Sequence, residues 1–129
     1  VQFHNTGLYN VDGMGSYPLD NQGAYEINQR QTDMGAFRAQ SLRNVAVTAP
    51  YMHDGSIATL EEVVRTYAAG GRNITAGSHI GDGRLNPYKD SFITGFSITD
   101  DEISDVVAFL HALTDESFLT NPRFANPWN

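Results

Sequence analysis

From residue 1 to about residue 58 the chain is rich in Gly, Asn, Asp and Pro and shows no sustained hydrophobic period of 2 or 3.6. Nearly half of the molecule should therefore be loop with short turns. Loops of that length are uncommon inside compact domains unless they are functional or wrap something, and a large planar cofactor is one such object. The 129 residues, 40% of them hydrophobic, give room for one domain with one core, so residues 1–129 read as a single unit.

Charge narrows the partners. A net charge of -7 with no Lys/Arg cluster repels phosphate backbones and anionic membrane surfaces, which argues against nucleic acid. No apolar run approaches the roughly 20 residues needed to cross a bilayer. The absence of cysteine excludes disulfides without identifying a compartment. His4, His79 and His111 have no mutual ligand spacing, so a zinc site is not expected.

Two helices can be placed from the pattern. Thr59 can cap a helix whose third residue, Glu62, completes a capping box, and Gly70-Gly71 ends it. Leu60, Val63, Val64 and Tyr67 follow the i, i+3, i+4, i+7 stripe, which puts Tyr67 on the same side as the aliphatic residues. Thr99 and Glu102 form a second box, with Asp100, Asp101 and Glu102 placing negative charge at the favourable end of the helix dipole. Ile103, Val106, Val107, Leu110 and Leu113 make its apolar stripe. Residues 72–97 read as a polar, Gly-rich loop, and residues 114–129, with two Asn-Pro steps, as an extended tail. Trp128 should anchor that tail by packing. With two helices and no convincing strand, the expected class is all-α with low regular content.

The loop leading into the first helix carries the densest motif: Leu42-Arg43-Asn44-Val45, then Thr48-Ala49-Pro50-Tyr51-Met52-His53-Asp54-Gly55-Ser56, then Thr59-Leu60-Glu61-Glu62-Val63-Val64-Arg65-Thr66-Tyr67. It resembles the second haem domain of bacterial dihaem cytochrome c peroxidases and their MauG-like relatives. Val1-Gln2-Phe3-His4-Asn5-Thr6-Gly7-Leu8-Tyr9-Asn10 and Asp33-Met34-Gly35-Ala36-Phe37-Arg38 extend the likeness over nearly the whole chain and bring it nearest to the MauG and MbnH-like members. Gln40 stands where many relatives have Pro. The resemblance implies a cytochrome c-like, loop-rich haem domain lacking its attachment segment. A c-type haem is attached through Cys-x-x-Cys-His, which this cysteine-free chain does not contain, so haem c is expected on an upstream portion of the same enzyme and this chain is expected to be a C-terminal piece.

What the residues would do follows from the same likeness. Tyr67 falls where the family places the distal axial ligand of that haem, Met in typical peroxidases and Tyr in MauG-like members; on sequence chemistry alone it could be a packed tyrosine with its hydroxyl bonded nearby. An anionic phenolate favours ferric and higher iron states. His53 is implied to line the haem pocket, where the alternative is a turn with Asp54. Arg38 and Arg43 could bind haem propionates bidentately, or could pair with the chain's own carboxylates. The carbonyls of Thr48 and Pro50 are implied to ligate calcium, a cation suited to hard oxygen donors. Met52 could ligate iron chemically but reads as a core filler. The implied activity is a periplasmic, peroxide-dependent oxidase that acts through high-valent haem on a tryptophan of a partner protein, with an MbnP-like copper-binding protein as candidate substrate. An ordinary peroxidase that reduces hydrogen peroxide and a noncatalytic electron-transfer module are the alternatives, and Tyr67 favours the first.

Overall fold

The structure, a computed structural model, describes residues 2–128; Val1, the first residue of the opening motif, and Asn129 lie outside the described residues. The regular elements are β1 (Phe3–His4), α1 (Tyr25–Asn28), β2 (Phe37–Arg38), α2 (Leu60–Ala68), β3 (Asn73–Ile74), β4 (Gly81–Asp82), α3 (Asp100–Ala112) and α4 (Glu116–Leu119), interspersed with short 3-10 turns. β1 pairs antiparallel with β2, Phe3 opposite Arg38, and β3 pairs antiparallel with β4, Asn73 opposite Asp82. At 33% helix and 9% strand the fold is mixed and loop-rich, which corrects the all-α expectation. The strands escape a periodicity argument because each is two residues long, too short to show an alternation, and β1 finds its partner more than thirty residues away.

The two helices form where the caps place them. Thr59 accepts a hydrogen bond from the Glu62 N–H at 3.2 Å while the Glu62 carboxylate accepts from the Thr59 N–H at 3.3 Å, and Thr99 and Glu102 repeat the arrangement at the start of α3. Each box satisfies donors that have no partner within the helix. α2 and α3 then pack face to face through Leu60, Val64, Ile103 and Val107, with Ile98 and Leu110 at the margin. Val63 and Tyr67 are half-buried. The α3 stripe is narrower than expected, since Val106 stays 37% exposed. Gly70 and Gly71, at φ +77° and +131°, end α2; a side chain on Gly71 would meet the Gly7 carbonyl at 2.9 Å, so the chain turns where only glycine fits.

A second core gathers Leu8, Tyr9, Tyr17, Met34 and Ile57 from the loop half, and Tyr51 packs against both cores. The buried loops are held by four buried asparagines, Asn5, Asn10, Asn44 and Asn86. Asn5 donates to the Met34 carbonyl (2.8 Å) and accepts from the Gly7 N–H (2.8 Å) and the Tyr17 hydroxyl (2.8 Å). Asn86 donates to the Tyr9 and Gly15 carbonyls and accepts from the Tyr88 N–H. Asn10 ties the Asp82 carbonyl to the Gly15 N–H, and Asn44, at φ +61°, accepts from the Asp115 N–H at 2.6 Å.

The tail differs from the extended run expected of it. Asp115 accepts from the Phe118 N–H and so caps the one-turn α4, while Asn121 is extended as the residue before a proline should be, yet Pro122 then opens a 3-10 turn. Trp128 is 90% exposed, so it does not anchor the tail by packing.

Because one amide at Asn5 serves three buried groups, Asn5→Ala should destabilise the protein by about 3 kcal/mol, the cost of stranding buried polar partners. Denaturant titration of the full-length protein checks this, and a change below about 0.5 kcal/mol, the size typical of a surface substitution, would show that the network is not needed.

Candidate functional site

The motif loop is a closed hairpin turn. Tyr51 and Ile57 exchange backbone hydrogen bonds at 2.7 and 3.4 Å, pinching off the intervening residues, and Met52 and Gly55 both take φ +68° to make the reversal. Met52 packs against the loop-half core, as a core filler would. His53 stacks on Phe37 of β2, with ring centroids 3.6 Å apart and 12° between planes, and lies 6.3 Å from the Tyr17 ring. Burial lowers its pKa below the ordinary histidine value, only partly opposed by the Asp54 charge, so the ring is neutral at pH 7.

Tyr67 sits in the last turn of α2. Among the described residues none hydrogen-bonds its hydroxyl, although burial pushes the phenol above its ordinary pKa. A half-buried phenol with a free oxygen can accept an electrophile or a metal, and a cation there would offset the burial that otherwise keeps it protonated.

Thr48 closes a 3-10 turn, its hydroxyl donating to the Val45 carbonyl at 3.0 Å, and the peptide between Ala49 and Pro50 is cis. The Thr48 and Pro50 carbonyls, on two exposed residues, accept no hydrogen bond from the described residues and are free to meet a hard cation. No group of three or more His, Cys, Asp or Glu among the described residues could hold a metal ion.

The two arginines part company. Arg43 forms an ion pair with Asp115 and lies over the Phe118 ring, 4.9 Å from its centroid. The Asp115 carboxyl, bonded by Ser117 and Arg43, is held down at about 2. Arg38, on β2 and exposed, has no carboxylate partner among the described residues.

One cluster is not visible in the motif. Tyr9 donates to Asp54 at 2.6 Å, the Ser56 N–H donates to the same carboxylate at 3.0 Å, and Arg72 donates to the Ser56 hydroxyl at 2.8 Å. Burial raises the Asp54 pKa, but the bonds from Tyr9 and Ser56 outweigh it and leave the carboxyl below its ordinary value. From sequence alone Asp54 reads as a turn residue, because its partner lies 45 positions away. The available signal was Tyr9 itself, inside the opening motif.

No family profile matches the chain. Among curated proteins it is 39% identical over 93 residues to the cytochrome-c peroxidase IdrP1 of Denitromonas iodatirespirans, covering 72% of this chain and 22% of that protein. It is 30% identical over 121 residues to the cytochrome c551 peroxidase of Pseudomonas aeruginosa, covering 94% of this chain and 28% of the relative. With the methylamine utilization protein MauG of Methylorubrum extorquens it shares 33% over 114 residues, 88% of this chain and 27% of the relative. A crystal structure described as a MauG-like protein associated with microbial copper homeostasis superposes with a TM-score of 0.95 at 54% identity, covering 100% of this chain and 37% of that one. The chain thus spans about a quarter of the curated relatives' length. These likenesses span both halves of the fold and support the cytochrome c-like relation and the use of haem c: the chain belongs to the MauG-like dihaem cytochrome c peroxidase family.

Proposed function

We propose that this chain forms one wall of a haem site in a peroxide-dependent dihaem oxidase, in which the Tyr67 phenolate oxygen would ligate the iron. The observation that carries this reading is the unpartnered hydroxyl of a half-buried tyrosine, held on a helix locked at its start by a capping box. Every buried side-chain polar atom among the described residues has a partner, so the unpartnered Tyr67 oxygen opens to solvent, where an incoming ligand can reach it. Haem, when bound, supplies the capacity to react with peroxide and to store oxidising equivalents. The residues of this chain do the rest. Tyr67 would give up its phenolic proton and offer a negative oxygen to the iron, a donor that disfavours the ferrous state. His53, neutral and stacked on Phe37, closes the pocket with an uncharged ring. Arg38 is free to meet a propionate, whereas Arg43 reaches one only by sharing its guanidinium with Asp115.

The same reading assigns the Thr48 and Pro50 carbonyls to calcium, locates the enzyme in the periplasm and makes its substrate a tryptophan of a partner protein. The copper association of the MauG-like relative points to a copper-binding partner of the MbnP kind. Among the described residues no helix is long and apolar enough to cross a membrane. An ordinary peroxidase is the second reading, favoured by the relatives that carry that name.

Tyr67→Phe keeps the ring and the packing while deleting the ligand oxygen. In the full-length haem protein it should leave haem content and folding near wild type, change the ferric absorption spectrum, and cut partner-protein oxidation by about 100-fold or more, the scale on which loss of a directly participating group is felt. Unchanged spectrum and turnover would remove Tyr67 from the iron. Calcium chelation of the same protein should release bound calcium, read by metal analysis, and shift the haem absorption. Absence of calcium from the active protein, or chelation without spectral change, would remove the Thr48 and Pro50 assignment.

A further inference from the structure

The Tyr9–Asp54 contact lies outside every role assigned above, and its geometry suits electron rather than acyl or metal chemistry. Of the six tyrosines in the chain, Tyr9 is the one that donates to a carboxylate among the described residues. Tyr9 is 7% exposed and its ring meets the Tyr17 ring edge to face at 5.4 Å; Tyr17, 2% exposed, lies 6.3 Å from the pocket residue His53. On the other side Tyr9 meets His79 at 5.8 Å. Rings thus run without a break from His53 through Tyr17 and Tyr9 to His79. Asp54 and His79 both line an open cleft of about 880 Å³, so the far end of the path reaches solvent.

The two buried tyrosines differ in what can take a proton. The Tyr17 hydroxyl donates to the Asn5 amide oxygen and accepts from the Leu8 N–H, neither of which is a base, and burial pushes its pKa up to about 12. Tyr9 points its O–H at an ionised carboxylate 2.6 Å away. Removing an electron from a phenol makes its O–H strongly acidic, so oxidation is easiest where a base already holds that proton. The Ser56 N–H and the Arg72–Ser56 hydroxyl contact keep the Asp54 carboxylate in place as that base.

We propose that Tyr9 is a redox-active tyrosine that relays electrons between the haem pocket and the Asp54–His79 cleft. One electron passes from Tyr9, by way of Tyr17 and His53, to a one-electron oxidant in the pocket, which is reduced by one equivalent. The phenolic proton moves to Asp54 in the same event, leaving a neutral tyrosyl radical and a carboxylic acid. A one-electron donor at the cleft restores the phenol, with the proton returning from Asp54. The physiological oxidant is peroxide-oxidised haem, and to that extent the relay rests on the function proposed above.

The test separates the two readings by using two oxidants on the full-length haem protein. Flash-generated ruthenium(III) tris-bipyridine should produce a neutral tyrosyl radical by electron paramagnetic resonance. That signal should narrow in protein grown with β-deuterated tyrosine, be absent from Tyr9→Phe and form about 100-fold more slowly in Asp54→Asn, as expected for loss of a positioned base. Wild-type protein should form it more slowly in D2O and at a rate independent of buffer base concentration, a readout that needs no variant to fold and that a phenol losing its proton to solvent would not give. Freeze-quenched peroxide treatment should give the same signal alongside the haem absorption change. A radical that persists in Tyr9→Phe, a rate indifferent to D2O, or haem that responds to peroxide with no tyrosyl signal overturns the relay. Haem unresponsive to peroxide overturns the proposed function instead, and the flash experiment still decides the relay.

Discussion

Buried backbone that is not in a helix or sheet must find hydrogen bonds elsewhere, and this molecule meets that demand with side-chain amides. Asn5, Asn10, Asn44 and Asn86 are each at most 6% exposed, and together they join segments as far apart in sequence as Tyr9 and Asn86. An amide both donates and accepts, so one Asn can tie a carbonyl to an N–H across a gap that no regular ladder spans. Leaving such groups unpaired in a core would cost about 1–3 kcal/mol each, comparable to much of a small domain's net stability. The loops around Tyr9, Tyr17 and Met34 are therefore fixed structure, and everything at the site is held on them.

That rigidity is passed to the chemistry through few contacts. α2 is gripped at its start by the Thr59–Glu62 box and at its end by Lys89, whose ammonium donates to the Gly70 and Arg84 carbonyls at 2.6 and 2.8 Å. Gly7, Gly71 and Gly83 let three backbones meet behind that end; a side chain on Gly83 would come within 2.0 Å of the Gly7 carbonyl. Tyr67 is thus carried on a helix fixed at both ends. The stack of His53 on Phe37 joins the motif loop to β2 in the same manner, so the opening and central motifs serve one surface.

The helices were legible because their signals are local. Thr59 to Glu62 and Thr99 to Glu102 are three-residue relations, and the structure makes both boxes as the spacing implies. The family, too, was legible, from a dense motif running into Tyr67. The fold departs from an all-α class because β1–β2 and β3–β4 are two-residue pairings imposed by tertiary contacts, which leave no period in the sequence. The Arg43–Asp115 pair and the Tyr9–Asp54 bond join residues 72 and 45 positions apart, and nothing in local spacing encodes them. The packing expected of Trp128 does not form: Phe118 and Phe124 of the tail stack on each other, and Trp128 remains in solvent.

Whether the free phenol of Tyr67 meets iron decides the chemistry of the site. Resonance Raman spectra of the ferric full-length protein, produced with ordinary and with ring-deuterated tyrosine and excited in the charge-transfer region, address that bond directly. Iron-bound phenolate predicts ring and C–O stretching modes that are enhanced and shift on deuteration. A spectrum free of isotope-sensitive tyrosinate modes, with the haem low-spin and ligated by another side chain, would contradict it.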